Sequence, residues 1–452
     1  MISSGNPDTI AAIATPPGKG AIAILRISGA ASAAVATALL GRLPEPRRAT
    51  LATFHDADGR ALDQGLVVYF PAPASFTGEC MVELQGHGGP VVQDALLRRL
   101  LQLGCRNARP GEFTERAFHN GKLDIAQAEA VADLIDAGTG AAARAAMRSL
   151  RGEFSARVAD LQGQLTGLRA WVEASLDFPD EEIDLLRERE LAARLAQLFG
   201  AFDALGHAAR QGALLRDGLT VVIAGPPNAG KSSLMNRLAG VDVAIVTPQA
   251  GTTRDVLRER VHLDGIPLHL IDTAGLRAAS DPVEAEGIRR ARLEIQRADR
   301  CLYVVDASAG DAQQQATQLA DLPPGVPVTV VYNKIDLHPA PPPAGDSAAP
   351  PCVAVSAASG EGLERLRDHL KAIAGCSEGG EGALSARRRH LDALARARTH
   401  VQAAADVLAA SAAPELFAED LRLAQQALGE ITGEFTSDDL LGTIFASFCI
   451  GK

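Results

Sequence analysis

No two of the six cysteines (Cys80, Cys105, Cys301, Cys352, Cys376, Cys449) fall at zinc-ligand spacing, and they are too scattered for the disulfide framework of a small secreted domain. Reduced thiols in a cytoplasmic chain are the expectation. No stretch reaches the roughly 18 consecutive apolar residues of a membrane span, and the opening MISSGNPDTIAAIATPPGKG lacks a basic region followed by an unbroken apolar segment. A chain without a stable membrane anchor is expected. Positive charge is not in excess: 44 Lys and Arg face 55 Asp and Glu, a formal net charge of −11. That balance argues against indiscriminate nucleic-acid binding, which rests on phosphate neutralisation, and leaves room for a local basic site. What is present suits folding. The 452 residues, 47% hydrophobic and 22% charged, exceed one ordinary core and predict two to four domains.

Changes of texture divide the chain into four segments. Residues 1–119 mix short β-like runs with turn signals: AIAILRIS (21–28), LVVYF (66–70) and CMVELQ (80–85) predict strands, and VVQDALLRRLLQLG (91–104) predicts a helix ended by Gly104. This is a small α+β domain. Residues 120–215 turn to Ala-, Leu-, Glu- and Arg-rich helix, broken near DFPD (177–180). Residues 216–378 alternate strands with helices and carry a Pro/Ala-rich surface loop at HPAPPPAGDSAAPPC (338–352), followed by a linker at GCSEGGEGA (375–383). Residues 379–452 return to helix from 384 and close on SFCIGK. The two helical stretches flank the α/β segment, so one all-α domain with an α/β domain inserted into it is expected.

The strongest chemical signal is Gly225-Pro-Pro-Asn-Ala-Gly-Lys231-Ser232, a complete GxxxxGKS between an apolar strand, LTVVIAG, and a helix. Its glycines let successive backbone N–H groups converge on phosphate oxygens, and the helix start adds its positive end. Lys231 is expected on the β- and γ-phosphates and Ser232 on Mg²⁺. Downstream, HLIDTAG sets Asp272 at the end of an apolar strand beside the magnesium shell, with the Gly275 N–H near the γ-phosphate. Thr252 and Thr253 of AGTTRD lie between these elements, where a switch segment adds a hydroxyl to Mg²⁺. In NKID, Asn333 meets the guanine ring and Asp336 accepts two hydrogen bonds from its N–H groups, a pattern adenine does not offer. SAA (Ser356, Ala357, Ala358) supplies a further backbone contact to the base. The ordered combination predicts a Ras-like P-loop GTPase domain.

Its hydrolytic group is not obvious. Many regulatory GTPases place a water-orienting Gln after DTAG, whereas this chain has Leu276, which cannot orient water by hydrogen bonding. Glu284 is the local candidate, against a solvated surface acid as the plain alternative. Asn228, in the glycine loop, can help to coordinate a potassium ion that supplies the positive charge other GTPases take from an arginine finger. Arg254 suits either such a finger or, preferably, a structural salt bridge.

Across its full length the chain resembles the MnmE/TrmE family of tRNA-modifying GTPases. The resemblance is carried by DTIAAIATPPGKGAIAILRISG, FTGECMVELQGHGGP, ARPGEFTERAFHNGKLDIAQAEAVADLI, GPPNAGKSSLMN, TPQAGTTRD, DTAGLR, NKID and the terminal Cys449-Ile-Gly-Lys452. It implies an N-terminal domain that dimerises and binds a tetrahydrofolate, a central helical domain, and a G domain inserted into it. The G domains of a homodimer are then expected to meet face to face with GTP and potassium bound. Potassium is implied at Asn228, Thr247, Gln249 and Thr252, Mg²⁺ at Ser232 and Thr253, and a water-orienting role at Glu284. The nucleotide-binding residues carried over are Asn228 to Ser233 (Ala229, Gly230, Lys231, Ser232 and Ser233 among them), the switch residues Thr247, Pro248, Gln249, Ala250, Gly251, Thr252 and Thr253, then Asp272, Thr273, Ala274, Gly275, Asn333, Lys334 and Asp336.

The resemblance further implies a flavoprotein partner of the MnmG/GidA type, in a heterotetramer or larger complex. Together they place a carboxymethylaminomethyl or aminomethyl group on carbon 5 of the wobble uridine of certain tRNAs. For the folate it points to Arg26, Glu83, Lys122 and Lys452, where Glu83 can accept from the pterin's N–H groups. Cys449 has two readings, a functional thiol near the folate or a small hydrophobe anchoring the terminus. The chain departs from the family pattern at Pro226, at Pro248-Gln249 and at Cys80, where arginine, Asp-Ile and an acid are common. Arg387, Arg388, Arg389 and His390 either meet RNA phosphates or form the solvated face of a helix. Two rival classes share the nucleotide site: a GTPase of ribosome or RNA maturation, which has no use for a folate, and a dynamin-like membrane GTPase, for which the sequence shows no lipid-binding amphipathic segment.

Overall fold

The computed structural model describes residues 8–177, 185–240, 258–263, 265–272, 295–296, 298–308, 319, 322–323, 325–337, 350–374, 382–409, 414–434 and 438–451. In chain order the elements are β1 (Ile10–Ile13), β2 (Ile22–Ser28), α1 (Ser32–Leu40), β3 (Thr50–His55), β4 (Ala61–Phe70), β5 (Met81–His87), α2 (Pro90–Gln102), β6 (Arg106–Asn107), α3 (Glu112–His119), α4 (Ile125–Ile135), α5 (Gly140–Leu150), α6 (Glu153–Asp177) and α7 (Leu185–Asp217). Then come β7 (Leu219–Ala224), α8 (Lys231–Ala239), β8 (Arg258–Leu263), β9 (Ile266–Asp272), β10 (Arg300–Asp306), β11 (Val328–Asn333), β12 (Cys352–Ala354), α9 (Leu363–Ile373), α10 (Arg388–Ala409), α11 (Pro414–Thr432) and α12 (Asp438–Ala446). They form two compact units, one of residues 1–132, 150–182 and 396–452 and the other of 133–149 and 183–395.

The first unit holds a six-stranded sheet in the order β3-β4-β5-β2-β1-β6, antiparallel except for the parallel β1–β6 pair. The period of two explains its faces. Leu25, Ile27, Val67, Tyr69, Val82 and Leu84 point to one side and pack with Leu39 of α1 and with Leu96 and Leu100 of α2. Arg26 and Glu83 fall on the opposite side as direct cross-strand partners. Helix α2 ends at Gln102, and Gly104 follows in a left-handed conformation (φ 97°), close to the stop expected from its sequence. In the same unit Ile444, Phe445 and Phe448, at and after α12, pack on Ile125 and Ala128 of α4.

The second unit is built on the sheet β12-β11-β10-β7-β9-β8, parallel but for the β8–β9 hairpin. β7 is covered on both faces, which is why it reads LTVVIA with almost no alternation. Leu219, Val221 and Ile223 meet Leu234 and Leu238 of α8 and Leu366 and Leu370 of α9, while Val222 and Ala224 meet Ile295, Tyr303 and Val305. Because β7, β9, β10 and β11 are parallel, their carboxyl ends share one edge, where ligands of such sheets bind.

Helix was expected from residue 384, but α10 begins at Arg388. Residues 383–386 are buried and extended instead: the Leu384 N–H donates to the Ala208 carbonyl (3.2 Å) and the Ser385 N–H to that of Ala145 (3.4 Å). Docking against two helices outweighs helical propensity here. Asp133 fixes the junction, accepting from Arg216 Nε (2.9 Å), Arg387 Nη2 (3.0 Å) and Ser385 Oγ (2.6 Å). DFPD from residue 178, most of the 338–352 loop and residues 375–381 of the linker lie outside the described residues.

Candidate nucleotide and pterin sites

The glycine loop leaves β7 at Gly225 (φ 138°) and enters α8 at Gly230 (φ 90°). Both positions exclude a side chain: a Cβ on Gly225 would run into the Val304 carbonyl, and one on Gly230 into Asn333 Nδ2. Asn228 also sits at positive φ (62°), with its side chain exposed at the loop crest. Ala229 is buried. Lys231 is 8% exposed and curls back over the loop, Nζ donating to the carbonyls of Gly225 (3.0 Å) and Pro226 (2.8 Å). An ammonium held over a glycine loop at the start of a helix suits polyphosphate. Ser232 and Ser233 are exposed in the first turn of α8. Asp272 ends β9, and its backbone is in register with Ile223 of β7, which puts it one strand from the glycine loop.

The base-reading segments converge on the same edge. Asn333 is 2% exposed, and its carboxamide fastens two loops: Nδ2 donates to the Ala229 carbonyl (2.8 Å) and Oδ1 accepts from the Ala357 N–H (2.9 Å). Lys334 holds positive φ (68°), its ammonium tied to Asp306 Oδ2 at 2.7 Å. Burial alone would raise the Asp306 pKa. Hydrogen bonds from Lys334 and Ser308 outweigh it and hold the carboxyl at about 2. Asp336 is exposed and oriented by the buried Ser356, whose Oγ donates to Asp336 Oδ1 at 2.6 Å. Ala358, two residues after Ser356, is exposed. Thr247, Pro248, Gln249, Ala250, Gly251, Thr252, Thr253, Thr273, Ala274, Gly275 and Glu284 lie outside the described residues, as do Arg254 and Leu276.

In the first unit, the Arg26 and Glu83 side chains form an ion pair on the sheet face away from α1 and α2 (Nε to Oε1, 2.9 Å). Phe76, which the sequence did not single out, covers the Arg26 guanidinium at 5.9 Å from the ring centroid. Lys122 Nζ donates to the Pro73 carbonyl of the loop that carries Phe76 (3.3 Å). The terminal segment lies against β1 and the turn before α3. The Gly111 N–H donates to the Cys449 carbonyl (3.3 Å), Ile450 bridges to Pro110, and Gly451 (φ 93°) sits so near β1 that a Cβ would lie 2.5 Å from the Ile13 carbonyl. Cys449 is exposed, and Lys452 is outside the described residues.

A buried ionic network that the sequence did not disclose supports this region. Arg116, 7% exposed, donates to Asp8 Oδ1 (2.8 Å), Glu79 Oε2 (3.0 Å) and Glu112 Oε1 (3.1 Å), while Arg106 grips both oxygens of Glu112 at 2.6 and 2.9 Å. Burial pushes the Glu112 pKa up, but the arginines and the Arg109 N–H bring it down to about 2. Glu79 also accepts from Ser28 Oγ (2.8 Å). Glu112 and Arg116 stand in ARPGEFTERAF and Glu79 in FTGEC, while Asp8 and Arg106 come from elsewhere in the chain. The burial of Glu112 and Arg116 and their convergence with these partners mark the network. Arg387 and His390 are similarly turned inward: Arg387 binds Asp133 and His390 is 1% exposed, whereas Arg388 is open to solvent. Neither the RNA-contact nor the solvated-face reading describes the first two.

Two family models match the sequence: the MnmE helical domain over residues 125–449 and the GTP-binding protein TrmE N-terminus over 9–122. The chain is 57% identical over 450 residues to the tRNA modification GTPase MnmE of Sodalis glossinidius (strain morsitans), covering 98% of this chain and 99% of that one. To the tRNA modification GTPase MnmE of Alkalilimnicola ehrlichii it is 58% identical over 447 residues, with the same coverage. Among solved structures, the G domain of the T. maritima FeoB iron transporter is 26% identical and the match covers 34% of this chain and 98% of that one, with a TM-score of 0.27. Among the described residues, no helix is long and apolar enough to cross a membrane.

Proposed function

Because the chain belongs to the MnmE family, we propose that it is a GTP hydrolase that, with a flavoprotein of the MnmG/GidA type, modifies carbon 5 of the wobble uridine of certain tRNAs in the cytoplasm. The observation that carries this reading is the length of the match: identity of 57–58% spans 98% of the chain, including the N-terminal and helical parts that a plain GTPase lacks.

Within that reading, Lys231 engages the β- and γ-phosphates, Ser232 and Thr253 hold Mg²⁺ near Asp272, and the bound ion neutralises phosphate charge. The exposed hydroxyl of Ser232 at a helix start, one strand from the end of β9, fits that donor set. Asn228 presents an exposed carboxamide on a strained loop crest, which fits a potassium ligand, with Thr247, Gln249 and Thr252 completing the set. Asp336, held by Ser356, reads the guanine N–H edge. Glu284 orients water, and the G domains of a homodimer close on each other to make the site complete.

The N-terminal unit takes a tetrahydrofolate. Glu83 accepts from the pterin, Arg26 and Lys122 engage carbonyl or glutamate charge, and Phe76 offers a ring to stack on. The terminal residues Cys449 and Lys452 close this pocket. The four sequence segments 1–119, 120–215, 216–378 and 379–452 then divide the labour between folate, helical frame and GTP. Reconstitution with the flavoprotein, methylene-tetrahydrofolate, glycine or ammonium, GTP and unmodified tRNA tests the proposal, with nucleosides identified by mass spectrometry. A GTP-dependent aminomethyl-type adduct on the wobble uridine is expected. GTP turnover without any adduct would leave a GTPase and remove the tRNA chemistry.

A further inference from the structure

Helix α8 carries the phosphate loop at its first turn and Arg237 in its last turn. Arg237 reaches across to the SAA turn, Nε donating to the Ala357 carbonyl (3.1 Å) and Nη2 to the Ala358 carbonyl (2.6 Å). In a trans peptide the C=O and the following N–H point in opposite directions. Drawing the Ala357 carbonyl toward Arg237 therefore turns the Ala358 N–H the other way.

The remaining donors of this turn are spent. The Ser356 N–H donates to the Glu361 carbonyl (2.8 Å), that of Ala357 to Asn333 Oδ1 (2.9 Å), that of Ser359 to Ser356 Oγ (3.0 Å) and that of Gly360 to the Ser356 carbonyl (2.9 Å). Among the described residues 356–360, the Ala358 N–H alone has no acceptor, and Ala358 is exposed two residues beyond Ser356, which holds Asp336. A free, fixed donor on the turn that holds a carboxylate is complementary to a purine with an acceptor at C6 and N–H groups on the adjoining edge.

We infer that Arg237 is a positioning residue for base discrimination: it fixes the turn so that the Ala358 N–H meets the carbonyl at C6 of guanine. The inference rests on the reading of NKID as the guanine-binding element. It also makes α8 a single rod with the phosphate site at one end and a support of the base site at the other. Adenine brings an amino donor to the same N–H and is rejected by the clash of donors.

The test is the affinity of the full chain for GDP and for 6-thio-GDP, whose sulfur is a poorer acceptor, in wild type, Arg237→Met and Arg237→Lys. Wild type is expected to bind 6-thio-GDP about tenfold more weakly than GDP, the worth of one hydrogen bond. In Arg237→Met, GDP should weaken by about tenfold and 6-thio-GDP by less than about twofold, so that the gap closes, and Arg237→Lys should restore part of it. A merely structural role would weaken both ligands equally, and that result, or unchanged GDP affinity, overturns the inference. Thermal unfolding of the ligand-free variants checks that they are folded, and Arg237→Lys alone carries the comparison if the Met variant is not. Asp336→Asn serves as the control on the underlying reading and should exchange GDP for xanthosine diphosphate. If it does not, the guanine assignment falls and takes the inference with it; if it does while the Arg237 variants are neutral, only the inference fails.

Discussion

Glu112 shows what a single charged residue contributes when burial and pairing act together. It is 2% exposed at its side chain, and two arginines hold its carboxyl at about 2 against an ordinary 4.5. A folded-state pKa below the unfolded value contributes stability above the unfolded pKa and loses it as pH falls through the folded one. Glu112→Gln removes the buried carboxylate that Arg106 and Arg116 share, leaving Arg106 with Asp8 and Arg116 with Asp8 and Glu79, and is expected to cost about 2 kcal/mol at neutral pH. In urea unfolding the difference between wild type and variant should shrink as pH drops from 4.5 toward 2. A difference that stays constant over that window would show that the ionised carboxylate is not what stabilises. Single residues also mark the limit of the sequence. Lys231, Asn333 and Asp336 were legible because spacing alone fixes them on one sheet edge. Asp306, Phe76 and Glu112 were not, because the partners that give them meaning come from other segments of the chain. Asn333 was legible as a base contact, but its tie to Ala229 and Ala357 depends on three segments meeting.

At the scale of elements, periodicity served well where one rule dominated. The strands at 22–28 and 81–87 follow alternation, and α2 stops beside a glycine as its composition demands. It served less well at 383–386, where Ala and Leu suggest helix and tertiary docking makes an extended strap. The terminal segment is a similar case: CIGK has no local structural signal, yet Gly451 is packed on β1 with positive φ. Gly451→Ala would put a Cβ against the Ile13 carbonyl and lift the tail from β1, the strand that pairs with the one carrying Arg26. Tetrahydrofolate affinity, measured by calorimetry, is expected to fall by tenfold or more in this variant while GTP affinity is unchanged. Equal losses for both ligands would show a global effect, and unchanged folate binding would remove the tail from the pocket.

For the molecule as a whole, both sheets and the helical segments that follow them match the α+β, all-α and P-loop α/β classes expected from texture, and the two family models match the N-terminal and helical parts. The sequence carried this far because the glycine loop, DTAG, NKID and SAA occur in the order a G domain needs, flanked by blocks too specific for a generic GTPase. We propose a GTPase whose hydrolysis depends on potassium and on dimer closure, with Asn228 as cation ligand and Glu284 orienting water. It is tested most directly by GTP turnover at matched ionic strength in potassium or sodium, across a range of protein concentrations, for wild type, Asn228→Ala and Glu284→Ala. Turnover is expected to rise with protein concentration and to be stimulated by potassium alone. The stimulation should vanish in Asn228→Ala, and Glu284→Ala should bind GTP with wild-type affinity yet turn it over at least a hundredfold more slowly. Equal rates in both salts, with both variants unimpaired, would contradict it.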